Sequence, residues 1–117
     1  MHIEAFREYC LQKKGVSEEM PFDAHTLVFK VMGKIFALTS LEGDFSINLK
    51  CAPEKAQSLR ESYPAVQPGY HMNKKHWNTV MIDGSLKDDL LRTWIDESYE
   101  LVRAGLPKKL QKELEAL

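Results

Sequence analysis

The chain predicts an α+β domain: a two-layer α/β sandwich whose antiparallel sheet carries helices on one face, in the order α-β-β-β-α-β-α. Three observations lead there. Strand-like segments cluster between Leu27 and Lys50, joined by links too short for the crossovers that parallel strands need. Phe45–Lys50 alternates, with Phe45, Ile47 and Leu49 on one side and Ser46, Asn48 and Lys50 on the other, the mark of a half-buried antiparallel strand. Leu90, Leu91, Trp94, Ile95, Leu101 and Val102 give a later segment one broad apolar helical face.

Taken in order, residues 2–14 predict a helix, because Ile3, Phe6, Cys10 and Leu11 recur at helical spacing and Gly15 can end it. Residues 16–26 form a connector with Pro21 and a short edge strand near Glu19–Phe22. Leu27–Met32 and Lys34–Thr39 are strands separated by Gly33, and Leu41-Glu42-Gly43-Asp44 turns into Phe45–Lys50. Pro53 suits the first turn of a helix that runs to Ser62 and stops before Pro64. Residues 63–76 are a loop with at most a short strand, and Trp77–Ile82 is a strand ended by Asp83-Gly84. Ser85-Leu86-Lys87-Asp88 reads as a capping box opening the long helix, which Gly105 and Pro107 break. Pro107–Leu117 is a terminal helix striped by Leu110, Leu114 and Leu117.

The composition bounds the function. The 117 residues make one domain, 1–117, of 13.5 kDa. A chain of this size buries about two-thirds of its unfolded surface, so one core holds it without disulfides or metal. With 44% hydrophobic and 28% charged residues it is no disordered tail, collagen or disulfide scaffold. The net charge of -1 leaves neither a basic nor an acidic coat. Charges enter at once at the N-terminus, so no signal peptide is expected, and no apolar run approaches a membrane span, so a soluble cytoplasmic protein is expected. Cys10 and Cys51 stand far apart with no CxxC, as expected of two buried thiols in a reducing compartment.

One stretch departs from this even charge. Ser62–Ile82 holds no acidic residue but carries His71, Lys74, Lys75 and His76, interleaved with Tyr70 and Trp77. Lysines and Asn73 could grip phosphates there while an aromatic ring covers a base or sugar; equally, the lysines could be solvated and Trp77 core. Lys30 and Lys50 can share the sheet's solvent face and enlarge the patch, with Lys34 beside them. Other chemistry fails on spacing. His71 and His76 have no third ligand nearby, so no metal or cofactor is expected. Asp23 and His25 have no placed nucleophile and read as a turn. Gly33-Lys34 is a hairpin turn rather than a phosphate loop, and no catalytic constellation is recognised.

Four blocks carry a resemblance: Leu27–Leu38, Asn48–Glu54, Pro68–Val80 with its Gly-Tyr-His-Met-Asn-Lys-Lys-His-Trp core, and Ser98–Val102. Together they resemble the MmcQ/YjbR family of small bacterial proteins over nearly the whole chain, with Pro21-Phe22-Asp23 departing from an expected Pro-Phe-Gly. The resemblance implies a secretion-chaperone-like two-layer topology and a DNA-binding role through a double-wing motif. It implies no catalytic residues. The expected binding set is Lys30, Lys34, Lys50, His71, Asn73, Lys74, Lys75, His76 and Trp77, with hairpins Leu27–Thr39 and Leu41–Lys50 as wings on double-stranded DNA. A pI near 6.4 weighs against that reading, since domains that rely on counterion release usually lie above 9. A protein-interaction or chaperone-like module remains the alternative, dimeric through the Leu-striped tail, and a small-molecule site stays open.

Overall fold

A computed structural model describes residues 1–69 and 72–117. Among them the elements run α1 (Ile3–Leu11), β1 (Val16–Glu19), β2 (Thr26–Val31), β3 (Lys34–Ser40), β4 (Ser46–Lys50), α2 (Pro53–Ser62), β5 (Val66–Pro68), β6 (Trp77–Met81), α3 (Asp88–Ala104) and α4 (Lys108–Glu115). The strands form one antiparallel sheet in the order β1-β2-β3-β4-β6-β5. The expected order holds, and the short strands expected in the connector and allowed in residues 63–76 form as the two sheet edges, β1 and β5. β1 sits earlier than the Glu19–Phe22 position, because Val16–Glu19 pairs back on β2 while Pro21 cannot donate to a ladder.

Helices α1, α2 and α3 pack on one face. Phe6 of α1 meets Phe29 edge-on at 5.3 Å between centroids, and Phe36 meets Tyr99 of α3 at 5.4 Å. Phe29, Ala37 and Leu49 lie across from one another on adjacent strands and form the floor of this core, which Leu91, Trp94 and Ile95 cover. Side-chain contacts also tie the helices together. The Tyr9 hydroxyl donates to Asp96 at 2.7 Å, and Lys13 bonds the same carboxylate while lying over the rings of Tyr9 and Tyr99.

Three expectations are corrected. The capping box does not form. Ser85 bonds back to Asp83 through both its amide (3.0 Å) and its hydroxyl (2.6 Å), and α3 opens behind Lys87 without a side-chain cap. An Asx turn two residues away wins over a cap three residues away. Gly15 is not the cap of α1, which Gln12 closes; it sits at φ +72° in the turn into β1. The second sheet face is not simply solvated: Asn48 is buried and accepts from the Thr79 hydroxyl at 2.6 Å. Phe22, Thr26, Leu38 and Met72 line a small cavity over that face, so the segment around Phe22 covers its centre.

The tail helix covers the chain's own body. Leu106 and Leu114 are buried, Leu110 packs against the core, and a Cβ at Gly15 would stand 2.5 Å from Leu114 Cδ1. Leu117 alone of the stripe stays open. No helix among the described residues is long and apolar enough to cross a membrane.

Candidate anion-binding cleft

The site begins with a defect in the sheet. β3 and β4 pair from Thr39↔Ile47 to Ala37↔Leu49, a register that would next set Phe36 against Lys50. Instead the hydroxyl of Ser98, fully buried on α3, stands between them. It accepts from the Lys50 amide at 2.8 Å and donates to the Phe36 carbonyl at 2.5 Å. The ladder stops there, and a cleft of about 520 Å³ opens beyond it. Lys30, Gly33, Lys34 and Ile35 form one side, Lys50 and Trp77 the other, with Leu101 and Val102 of α3 reaching in and Phe22 at the rim.

Three of the lysines expected to gather therefore do so, from positions up to twenty apart in sequence. Lys30 is partly neutralised, its ammonium 3.3 Å from Glu19 Oε1. Lys34 and Lys50 have no carboxylate partner among the described residues, and no acidic side chain lines the cleft among them. Lys50 shares the sheet face of Trp77, its cross-strand partner. Trp77 is buried, so it braces the floor instead of offering a free face.

The other expected residues stand apart, on the turn 73–76 leading into β6. Asn73 is occupied by that turn: its side-chain oxygen accepts from the Lys75 amide at 2.8 Å, and its carbonyl accepts from the amides of His76 and Trp77. Lys74 and Lys75 are exposed and point no ion pair at a described carboxylate, but they do not line the cleft. His76 contributes its carbonyl, which accepts from the Cys51 amide at 2.7 Å and so ties the turn to the end of β4. His71 lies outside the described residues.

The expected wings do not flank one surface. Successive turns of a meander fall at opposite ends of its sheet. The Met32–Gly33 turn borders the lysines, whereas the Leu41–Phe45 turn lies with Met1 and His2 and carries Glu42 and Asp44.

Several contributors carry no mark in the linear pattern. Arg60 of α2 clamps the turn: its Nε donates to Asn78 Oδ1 at 2.6 Å, and its Nη2 donates to the carbonyls of Lys74 and Trp77. Gly69 lets the chain pass close to Trp77, since a Cβ there would stand 3.0 Å from the Trp77 Cβ and carbonyl oxygen and force a small shift. The cysteines are poor nucleophiles. Burial pushes the Cys10 thiol up to about 12 and raises that of Cys51, which keeps both protonated at neutral pH. Asp23, as expected, holds a turn by accepting from the amides of His25 and Thr26, and those bonds lower its pKa.

Residues 11–101 match the YjbR family. The chain is 46% identical over 112 residues to the uncharacterised protein YbdF of Escherichia coli O157:H7, covering 95% of this chain and 92% of that protein. It is 35% identical over 115 residues to the uncharacterised protein YjbR of Escherichia coli K12, covering 97% and 98%. A crystal structure of a Deinococcus radiodurans protein with a DUF419 domain superposes with a TM-score of 0.89 at 40% identity, over 97% of this chain and 87% of that one. A Pseudomonas syringae protein superposes with a TM-score of 0.76 at 30% identity, over 86% and 98%.

Proposed function

The chain belongs to the YjbR family, and from that premise we propose that it is a DNA-binding module that holds phosphates with the lysines of the cleft. The observation that carries this reading is the meeting of Lys30, Lys34 and Lys50 around one concave surface that no described carboxylate lines. A chain of net charge -1 has no general attraction for a polyanion, so binding must come from a local field. Lys74 and Lys75, on the turn that follows β5, extend the same role beyond the cleft.

The test is fluorescence anisotropy with labelled DNA at two salt concentrations. Two to three phosphate contacts in the cleft and two on the turn give affinity that falls about 150- to 500-fold between 50 and 200 mM salt. Lys34→Glu with Lys50→Glu removes the binding, and Lys74→Glu with Lys75→Glu weakens it, without unfolding the protein. Binding that ignores salt, or survives Lys34→Glu with Lys50→Glu, refutes the reading.

The protein-interaction alternative now rests on a different surface. The leucine stripe of the tail is largely spent on the chain's own core, whereas Met20 and Phe22 are exposed beside edge strand β1. Light scattering on Met20→Ser/Phe22→Ser distinguishes it: a dimer that this change dissociates favours that reading.

A further inference from the structure

Resting on the DNA-binding reading, we infer that the unit gripped by the cleft is a single unpaired nucleotide, so that the protein prefers single strands to duplex. Shape argues first. Duplex DNA is read by a helix or ribbon pushed into a groove, which is a convex element. Here the lysines line a concavity of about 520 Å³, a size suited to small ligands. The two hairpin turns that could flank a duplex lie at opposite ends of the sheet, and one of them is acidic.

Chemistry argues second. Phe22 stands at the rim with 63% of its surface exposed and has no ring contact among the described residues. An exposed aromatic ring on the same cleft as two lysines without carboxylate partners among the described residues matches the two halves of a nucleotide. The base stacks on Phe22 and packs against Ile35, while Lys34 and Lys50 hold its phosphate. A base inside a duplex keeps both faces stacked on its neighbours and cannot present one to Phe22.

Calorimetric titration with dT20, a 20-bp duplex and thymidine monophosphate tests this. The expected result is that dT20 binds more tightly than the duplex and the monophosphate binds weakly at the same site. Phe22→Ala weakens dT20 about tenfold, leaves the duplex unchanged, and Phe22→Tyr restores dT20 binding, which separates stacking from any loss of cover over Leu38. If the duplex binds as well as dT20, or Phe22→Ala leaves dT20 unchanged, the inference falls. The DNA-binding reading then still stands provided Lys34→Glu with Lys50→Glu abolishes the binding that remains. If none of the three probes binds, both fall.

Discussion

Ser98→Ala tests the claim that one hydroxyl holds the cleft open. Ser98 is fully buried, and its oxygen satisfies the Lys50 amide and the Phe36 carbonyl together. Alanine fits the space but leaves a buried donor and a buried acceptor facing a gap. Each such group costs about 1–3 kcal/mol unpaired. Lys50 borders the cleft, where water can reach, so its amide falls at the low end of that range. The sum is about 2–4 kcal/mol, which at about 4 °C per kcal/mol for a chain of this length lowers Tm by about 8–16 °C.

Calorimetry measures the loss, and amide exchange locates it: the Lys50 amide should lose protection ahead of its neighbours in β4. Ser98→Thr keeps the hydroxyl and should recover most of the loss apart from crowding by the added methyl. The opposing possibility is that β3 and β4 simply close, with the Lys50 amide bonding the Phe36 carbonyl directly. In that case Tm falls by less than about 4 °C, the amide stays protected, and the wedge account of the cleft is refuted.

Three further outcomes follow from the same contacts. Arg60→Ala strips the partner from the buried Asn78 oxygen and from the Lys74 carbonyl, while the Trp77 carbonyl keeps the Gly69 amide; it should cost about 1–3 kcal/mol by denaturant titration, and a loss below about 0.5 would show the clamp to be idle. Gly15→Ala combines a backbone at φ +72° with contacts on Leu114 and Met32, so it should destabilise more than Gly43→Ala, which has φ +73° and open space; Leu114→Ala should remove most of the difference, leaving the contact with Met32. Burial, with the bond to Asp96 second at Tyr9, raises both Cys10 and Tyr9 to about 12. Raised values mean that the folded state favours the protonated forms. That stability is complete below the unfolded values of about 8.5 and 10 and is lost as pH climbs toward 12. Tm should hold to about pH 8.5 and then decline, with Cys10→Ala removing the earliest part; a flat profile to pH 11 would contradict it.

How much of this was readable in advance depends on how far each contact reaches along the chain. The helix Pro53–Ser62 was legible to the residue, because its start and stop are written locally by Pro53 and Pro64. The core side of β4 was legible from Ile47 and Leu49, but the burial of Asn48 was not, since its partner Thr79 stands 31 residues away on β6. For the site, Lys30 and Lys50 follow from alternation, yet their meeting with Lys34 needs the break that Ser98 makes 48 residues beyond Lys50. Arg60 carries no signal within its own helix, and Phe22 falls at the end of the edge strand expected near Glu19–Phe22. Only the folded chain sets one against the turn and the other at the rim. Asn73 shows the converse, a residue chosen for its chemistry whose oxygen a local turn had already claimed.

The remaining question is how a chain with 17 acidic residues keeps a cleft free of them. The two layers sort the charges. On the helices Lys55 meets Glu97, Arg103 meets Glu100 and Arg92 meets Asp89, and Lys13 just past α1 meets Asp96 of α3, whereas at the cleft only Lys30 has an acidic partner among the described residues. Net charge therefore says little about the local field, and two substitutions that raise it equally should act differently. Glu19→Gln frees Lys30 and should tighten nucleic-acid binding about 1.5- to 5-fold, the weight of one exposed ion pair. Asp89→Asn adds the same unit of charge at the far end of α3. Gly105 at the near end lines the cleft, so about 24 Å of helix separates the two, beyond a Debye length of about 8–10 Å. Its affinity should stay at the unmodified value. Equal gains from both would mean that overall charge draws the polyanion and that the cleft does not.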